Sequence, residues 1–118
     1  LKIGVFGPSG GVHPKGIVEK RCRINIGNDV WLGKNVLITN SANVGNGVIA
    51  AAGSIITKDV PDYAVIAGVP ARIIRYRYSK DEISALNEIK WWDWSDDVIR
   101  ERYDSFYWPI DRFISTYY

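Results

Sequence analysis

The sequence predicts a mainly β protein, a parallel β-solenoid that is followed by a helical C-terminal tail. Two observations predict the solenoid: an aliphatic residue recurs at every sixth position from Ile26, and small or turn-forming residues recur between these positions. A third observation, a Trp-rich segment with helical spacing, predicts the tail. We therefore expect a β-solenoid over residues 1–78 and a helical extension over residues 79–118.

Six consecutive blocks of six residues make up the repeat, from Ile26 to Pro61. Two columns are mostly aliphatic, and we expect both to point inward from short strands. Asn, Asp, Ser or Gly at the fourth position lets the chain turn with a positive φ. The pattern predicts a three-sided coil of about 18 residues in which Val44 stacks on Ile26 and Ala50 stacks on Leu32. The alternative is an ordinary run of strands with frequent turns. The first column is Ile26, Leu32, Ile38, Val44, Ala50 and Ile56, and the fifth is Val30, Val36, Ala42, Val48, Ser54 and Val60.

A solenoid buries its core only by stacking neighbouring coils, so two coils alone are marginal. We therefore expect either further coils upstream or partner subunits that cover the exposed faces. Since the sequence starts at Leu1 without a methionine, we expect it to be part of a longer protein.

Three stretches of the sequence resemble the signature motifs of the hexapeptide-repeat acetyltransferases. They are Ile26-Gly-Asn-Asp-Val-Trp-Leu-Gly33, Ala51-Ala-Gly-Ser-Ile-Ile-Thr-Lys-Asp-Val-Pro61 and Ala67-Gly-Val-Pro-Ala-Arg72-Ile-Ile-Arg75. Residues 79–94, which end in Ile89-Lys-Trp-Trp-Asp-Trp94, are similar to the C-terminal helix of the xenobiotic branch of that family. This branch includes streptogramin and chloramphenicol acetyltransferases, and related enzymes acetylate sugars.

The resemblance implies a left-handed parallel β-helix, a homotrimer and three active sites between subunits. The left hand is an exception to the right-handed rule for parallel strand connections, so it rests on the resemblance alone. The resemblance further implies an O-acetyltransferase that uses acetyl-CoA as co-substrate. The acceptor is then a hydroxyl of a saccharide or antibiotic-like molecule.

Small residues and cations at the end of the repeat suit a CoA ligand. Ala52 and Gly53 leave backbone amides open to a thin pantetheine arm. The cations Lys58, Arg72 and Arg75 are suited to neutralise phosphates. In the alternative, the alanines only pack the coil and the cations are solvated. The resemblance assigns acetyl-CoA to Lys34, Ala52, Gly53, Thr57, Lys58, Arg72 and Arg75.

Trp31 occupies the last position of its block, where a side chain projects outward. An outward tryptophan among small residues indicates an interface or a ligand wall. The resemblance places it beside the acceptor and the thioester. Packing within a trimer is the alternative.

His13 is the only histidine, and an imidazole suits removal of a hydroxyl proton near neutral pH. The stretch Gly10-Gly-Val-His13-Pro resembles the segment that carries the catalytic histidine of the family. Only 18 positions separate His13 from Trp31, fewer than in similar enzymes. The alternative is therefore that the base lies upstream and that His13 is an incidental loop residue.

The tail carries two helix-start signals. Ser79 and Glu82 form a capping box, and Ser95 starts a second helix with Val98, Ile99, Tyr103 and Phe106 on its apolar side. A third helix follows Pro109. We expect Trp91, Trp92 and Trp94 to attach the tail to the solenoid rather than to bind a cofactor.

Composition excludes several other classes of protein. One histidine and one cysteine do not build the three-histidine zinc site of a β-helical carbonic anhydrase, so we predict no metal. A net charge of +2 gives no support for nucleic acid as a partner, and no apolar run is long enough to cross a membrane. We expect a cytoplasmic protein in which Cys22 is a buried thiol. Mixed outward residues argue against an ice-binding helix, and a catalytically inactive CoA-binding module is the remaining rival.

Overall fold

A computed structural model describes residues 23–39 and 41–118 of the chain. Six short strands follow the repeat: β1 (Asn25–Ile26), β2 (Trp31–Leu32), β3 (Leu37–Ile38), β4 (Asn43–Val44), β5 (Ile49–Ala50) and β6 (Ile55–Ile56). They pair in parallel in three sheets, β1 with β4, β2 with β5 and β3 with β6. Each pair joins residues eighteen positions apart, which confirms the predicted stacking of Val44 on Ile26 and of Ala50 on Leu32.

The two aliphatic columns point into a common core, as the repeat predicts. Val48 and Ser54 are fully buried, and the Ser54 hydroxyl donates to the carbonyl of Ala51 at 2.6 Å, which removes the cost of burying it. Ile26 in the first described coil is 48% exposed, because no described strand pairs with β1 on its other side. The core is therefore more completely shielded from solvent in the second coil than in the first.

The fourth position of a block has a positive φ in the first five blocks, which confirms the turn chemistry read from the sequence. The residues are Asp29, Asn35, Ser41, Gly47 and Gly53. In the sixth block, Asp59 at the fourth position does not have a positive φ, whereas Tyr63, two residues after the block ends, has a φ of 59°.

This displacement follows from a shortened coil, and it corrects the expectation that the repeat continues unchanged to Pro61. Val60 bridges Val44, sixteen positions away, and does not stack on Ala42. Between β3 and β4 the chain uses four residues to turn, whereas between β6 and Asp59 it uses only Thr57 and Lys58.

Two further strands complete the largest sheet. β7 (Ala64–Ala67) pairs in parallel with β5, and β8 (Arg72–Tyr76) pairs antiparallel with β7, which gives the order β2-β5-β7-β8. The six-residue repeat does not predict this hairpin, because residues 67–75 lie beyond its last block. We call residues 25–76 the repeat region.

The tail, residues 79–118, contains three helices. α1 (Lys80–Ile89) starts with the predicted capping box, in which Ser79 accepts from the Glu82 amide at 3.2 Å. α2 (Asp96–Glu101) starts after Ser95 as predicted, but it ends before Tyr103 and Phe106, which lie in a separate 3-10 turn. α3 (Ile110–Tyr117) follows Pro109, again as predicted. The two 3-10 turns are Trp91–Asp93 and Tyr103–Tyr107.

A cluster of mostly aromatic side chains attaches the tail to the repeat region. Its buried members are Tyr63 from the repeat region and Leu86 and Phe113 from the tail, with Trp91 and Trp94 packed against them. These contacts confirm the attachment role predicted for two of the three tryptophans. Among the described residues, no helix combines the length and the apolar character needed to cross a bilayer.

Candidate functional site

One edge of the repeat region collects three of the residues assigned to acetyl-CoA. The Gly53 amide donates to the Lys34 carbonyl at 2.8 Å, so that the turn containing Ala52 and Gly53 lies directly beside the turn containing Lys34. All three residues are exposed. Gly53 has a φ of 75°, and a Cβ atom added there would meet nothing within 4 Å. The backbone at this edge is therefore open to a thin ligand.

A second group lines a cavity of about 340 Å³ at the shortened corner. Thr57, Lys58 and Arg72 share its walls. The cavity forms where the Ala71 amide donates to the Ile55 carbonyl at 2.8 Å, which brings the start of β8 beside β6. Lys58 and Arg72 are exposed at its mouth. Two cations with free access to solvent suit a phosphate contact.

Arg75 lies elsewhere. It pairs with Val65, which pairs with Ile49, which in turn pairs with Trp31, so these residues form one row across the four-stranded sheet. Directly paired residues present their side chains on the same face of a sheet. Arg75 therefore lies on the outward face that carries Trp31, and it does not line the cavity beside Arg72. Arg72 pairs with Ala67, two positions from Val65, so both arginines belong to the same face of the sheet.

Trp31 projects outward, as its position in the block predicts, and 67% of it is exposed. Its backbone is fixed, because the Trp31 amide donates to the Val48 carbonyl at 2.9 Å. A large exposed ring on a rigid strand is suited to contact a ligand or a second subunit. His13 and Cys22 lie outside the described residues, so the predictions for them stay predictions.

Arg77 organises a cluster that sequence reasoning missed. Its Nη1 donates to the Gly47 carbonyl at 2.8 Å and to Asp29 Oδ2 at 3.2 Å, and its Nη2 donates to the Tyr78 hydroxyl at 3.3 Å. The guanidinium lies 5.5 Å from the ring centre of Tyr63 and 5.1 Å from that of Tyr78. Since 48 positions separate Arg77 from Asp29, no local pattern signals this contact.

Tyr63 is the most buried member of this cluster, with 1% of its surface exposed. Burial raises the pKa of its phenol to about 12, and the Asp29 carboxylate adds to the rise while Arg77 opposes it. The phenol is therefore a neutral donor at physiological pH.

The comparisons with known proteins agree with the motifs. The chain is 45% identical over 75 residues to a chloramphenicol acetyltransferase from Morganella morganii, which covers 64% of this chain and 36% of that relative. It is 46% identical over 59 residues to a galactoside O-acetyltransferase from Escherichia coli strain K12, which covers 50% of this chain and 29% of that relative. No protein-family model matches the chain.

A solved structure supports the fold. The crystal structure of a serine acetyltransferase from Neisseria gonorrhoeae matches 58% of this chain and 27% of that chain, with a TM-score of 0.50 and 26% sequence identity. The chain spans about a third of the length of the curated relatives it matches. These relatives confirm the resemblance to the xenobiotic and sugar branches of the hexapeptide-repeat acetyltransferases.

Proposed function

We propose that this chain, whose relatives are chloramphenicol, macrolide and galactoside acetyltransferases, forms part of an acetyl-CoA-dependent O-acetyltransferase of the cytoplasm. The acceptor is a hydroxyl of a saccharide or of an antibiotic-like molecule. The observation that carries the proposal is the 45% identity over 75 residues to an enzyme that acetylates chloramphenicol. No metal takes part in the proposed reaction.

The proposed architecture is a left-handed parallel β-helix that assembles as a homotrimer. The parallel pairs at eighteen-residue spacing support the helix. Large apolar side chains on the outer faces support assembly: Leu37 on β3 is 60% exposed and Trp31 on β2 is 67% exposed. Apolar surface of this kind is a common feature of subunit interfaces.

Acetyl-CoA is proposed to lie along the edge formed by Lys34, Ala52 and Gly53, where the backbone is open and a pantetheine arm finds amides and carbonyls. Its phosphates are proposed to contact the cations beyond this edge, with Lys58 and Arg72 at the cavity of the shortened corner and Arg75 further along the same strand as Arg72. Thr57 offers a hydroxyl at the same corner. Opposite charge and exposure support this placement.

The proposed chemistry is direct transfer in a ternary complex. His13 removes the proton of the acceptor hydroxyl, and the hydroxyl oxygen attacks the thioester carbonyl. A backbone amide stabilises the oxyanion, the carbon–sulfur bond breaks, and the thiolate of CoA receives the proton from His13. Trp31 lines the place where acceptor and thioester meet. No acyl-enzyme forms.

The proposal is tested by incubating the full chain with acetyl-CoA and chloramphenicol, a galactoside or a macrolide, and measuring the free thiol of CoA. We expect thiol release that depends on at least one acceptor and yields its acetyl ester. Chloramphenicol with both hydroxyls already acetylated is the matched control, and it should give no release. Binding of acetyl-CoA without transfer to any acceptor would favour the inactive CoA-binding module, and no binding at all would defeat both.

A further inference from the structure

A cavity of about 470 Å³ lies between the repeat region and the tail. Its volume falls within the range of small-molecule sites. Polar side chains of the repeat region and of the adjoining Arg77 and Tyr78 line one wall, and aromatic side chains line the wall formed by the tail. None of the residues assigned to acetyl-CoA or to the acceptor lines it.

Tyr63 provides a hydrogen-bond donor that the described residues do not use. The side chain is held deep in the wall, because its ring occupies the space above Gly47 where any Cβ atom would overlap it. Only 1% of Tyr63 is exposed. Its hydroxyl makes no hydrogen bond to another described residue. The hydroxyl oxygen is also not one of the unpaired polar atoms that the described residues enclose completely. Tyr63 lines the cavity, so its hydroxyl is the polar group that this side chain can offer to a ligand there. An unpaired buried donor favours any ligand that supplies an acceptor.

The charges around the cavity select against anions. Arg77 contributes one positive charge to the wall, and Asp29, which pairs with it at 3.2 Å, contributes one negative charge. These charges cancel, while the phenol of Tyr63, whose pKa burial raises to about 12, remains a neutral donor. A wall with donors and no net charge favours a neutral acceptor oxygen over a carboxylate or phosphate.

The opposite wall selects for a flat ring. Trp91 and Phe106 meet edge to face with ring centres 5.0 Å apart, and Trp108 lines the cavity beside them. Aromatic rings arranged in this way present both faces and edges to a further ring. The tail thus offers apolar contact area opposite the Tyr63 hydroxyl.

We propose that this cavity binds a neutral, flat ring compound that carries a hydrogen-bond acceptor oxygen. The oxygen accepts from the Tyr63 hydroxyl, and the ring packs against Trp91 and Phe106 of the tail. This site does not depend on the proposed acetyl transfer.

The test compares three probes on the full chain by ligand-observed NMR titration. Acetophenone carries a ring and a carbonyl oxygen, ethylbenzene has nearly the same shape without the oxygen, and benzoate replaces the carbonyl with an anion. We expect acetophenone to bind about tenfold more tightly than ethylbenzene, as the loss of one hydrogen bond to a buried donor predicts. Benzoate should bind more weakly than acetophenone. Equal affinities for acetophenone and ethylbenzene, or no binding of acetophenone, would overturn the proposal.

Tyr63→Phe removes only the hydroxyl oxygen, and no described residue loses a hydrogen bond, so the variant should fold. In this variant, acetophenone affinity should fall to that of ethylbenzene while ethylbenzene affinity stays the same. Tyr107→Phe is the matched control, because it removes a phenol oxygen from a residue that is 75% exposed and does not line the cavity. Unchanged acetophenone affinity in Tyr63→Phe, or an equal loss in Tyr107→Phe, would rule the site out.

Discussion

In the repeat region, the same backbone hydrogen bonds join each strand to the strand one coil later, whereas in the tail three short helices are joined by contacts between aromatic rings. Gly27 donates to Val44 at 2.8 Å, and Gly45 donates to Val60 at 2.9 Å, one coil further on. In the tail, Trp94 stacks on Phe113 with ring centres 6.1 Å apart. The first region depends on register, and the second depends on a few large side chains.

This difference decides which changes each region tolerates. An outward residue of the repeat region can be exchanged as long as the turn and the inward columns are kept, which leaves its surface free to carry a ligand site. In the tail, by contrast, a single ring takes part in several contacts. Trp94 alone contacts Phe106, Phe113 and Tyr117, and the Arg102 guanidinium lies 4.6 Å from the ring centres of both Trp94 and Tyr117.

The largest expected effect concerns acetyl transfer, because the proposed base, His13, precedes the tail. His13→Ala should lower kcat by about 10²- to 10⁴-fold, the usual contribution of a general base. Affinity for acetyl-CoA, measured by calorimetry, should hardly change. Near-normal turnover in this variant would show that the base is a residue other than His13.

Phe113→Ala tests the tail. Phe113 is 5% exposed and contacts Trp94, Phe106 and Tyr117, so its loss should lower the free energy of unfolding by about 3–5 kcal/mol in chemical denaturation. Phe106→Ala is the control within the same cluster. Since Phe106 is 36% exposed, its loss should cost less. Equal losses would show that the cluster does not depend on burial.

Gly47→Ala and Gly53→Ala form a matched pair that tests the repeat region. Both positions have a positive φ, which costs an alanine about 1–2 kcal/mol. At Gly47 the new Cβ would also overlap the Tyr63 ring, and such crowding adds about 1–3 kcal/mol. At Gly53 it would meet open space. Thermal denaturation should therefore show the larger loss for Gly47→Ala, and equal losses would contradict the packing described here.

Local sequence patterns predicted the parts of the structure that depend on local chemistry. The positive φ angles at Asp29 and Gly47, the capping box at Ser79 and the eighteen-residue pairing all follow from neighbouring residues or from a fixed period. The exposure of Trp31 follows from the same period.

The missed features depend on contacts that no short pattern encodes. The coil shortens by two residues at Thr57 and Lys58, where the residue types still fit the six-residue block, so only the pairing of Val60 with Val44 shows the change. The Arg77–Asp29 ion pair joins residues 48 positions apart. The aromatic contacts of the tail depend on how the helices pack, which helix-start signals do not specify.

The central claim, that the end of the repeat region binds the phosphates of acetyl-CoA, is tested most directly by calorimetry of Arg72→Ala/Arg75→Ala. Lys80→Ala/Arg100→Ala is the charge-matched control, since it removes two exposed cations from the tail. We expect the first variant to lose about tenfold in affinity for acetyl-CoA at low salt, with a smaller loss as salt screens the contact. The control variant should bind as the unmodified chain does. Equal affinities in the two variants at every salt concentration would contradict the account.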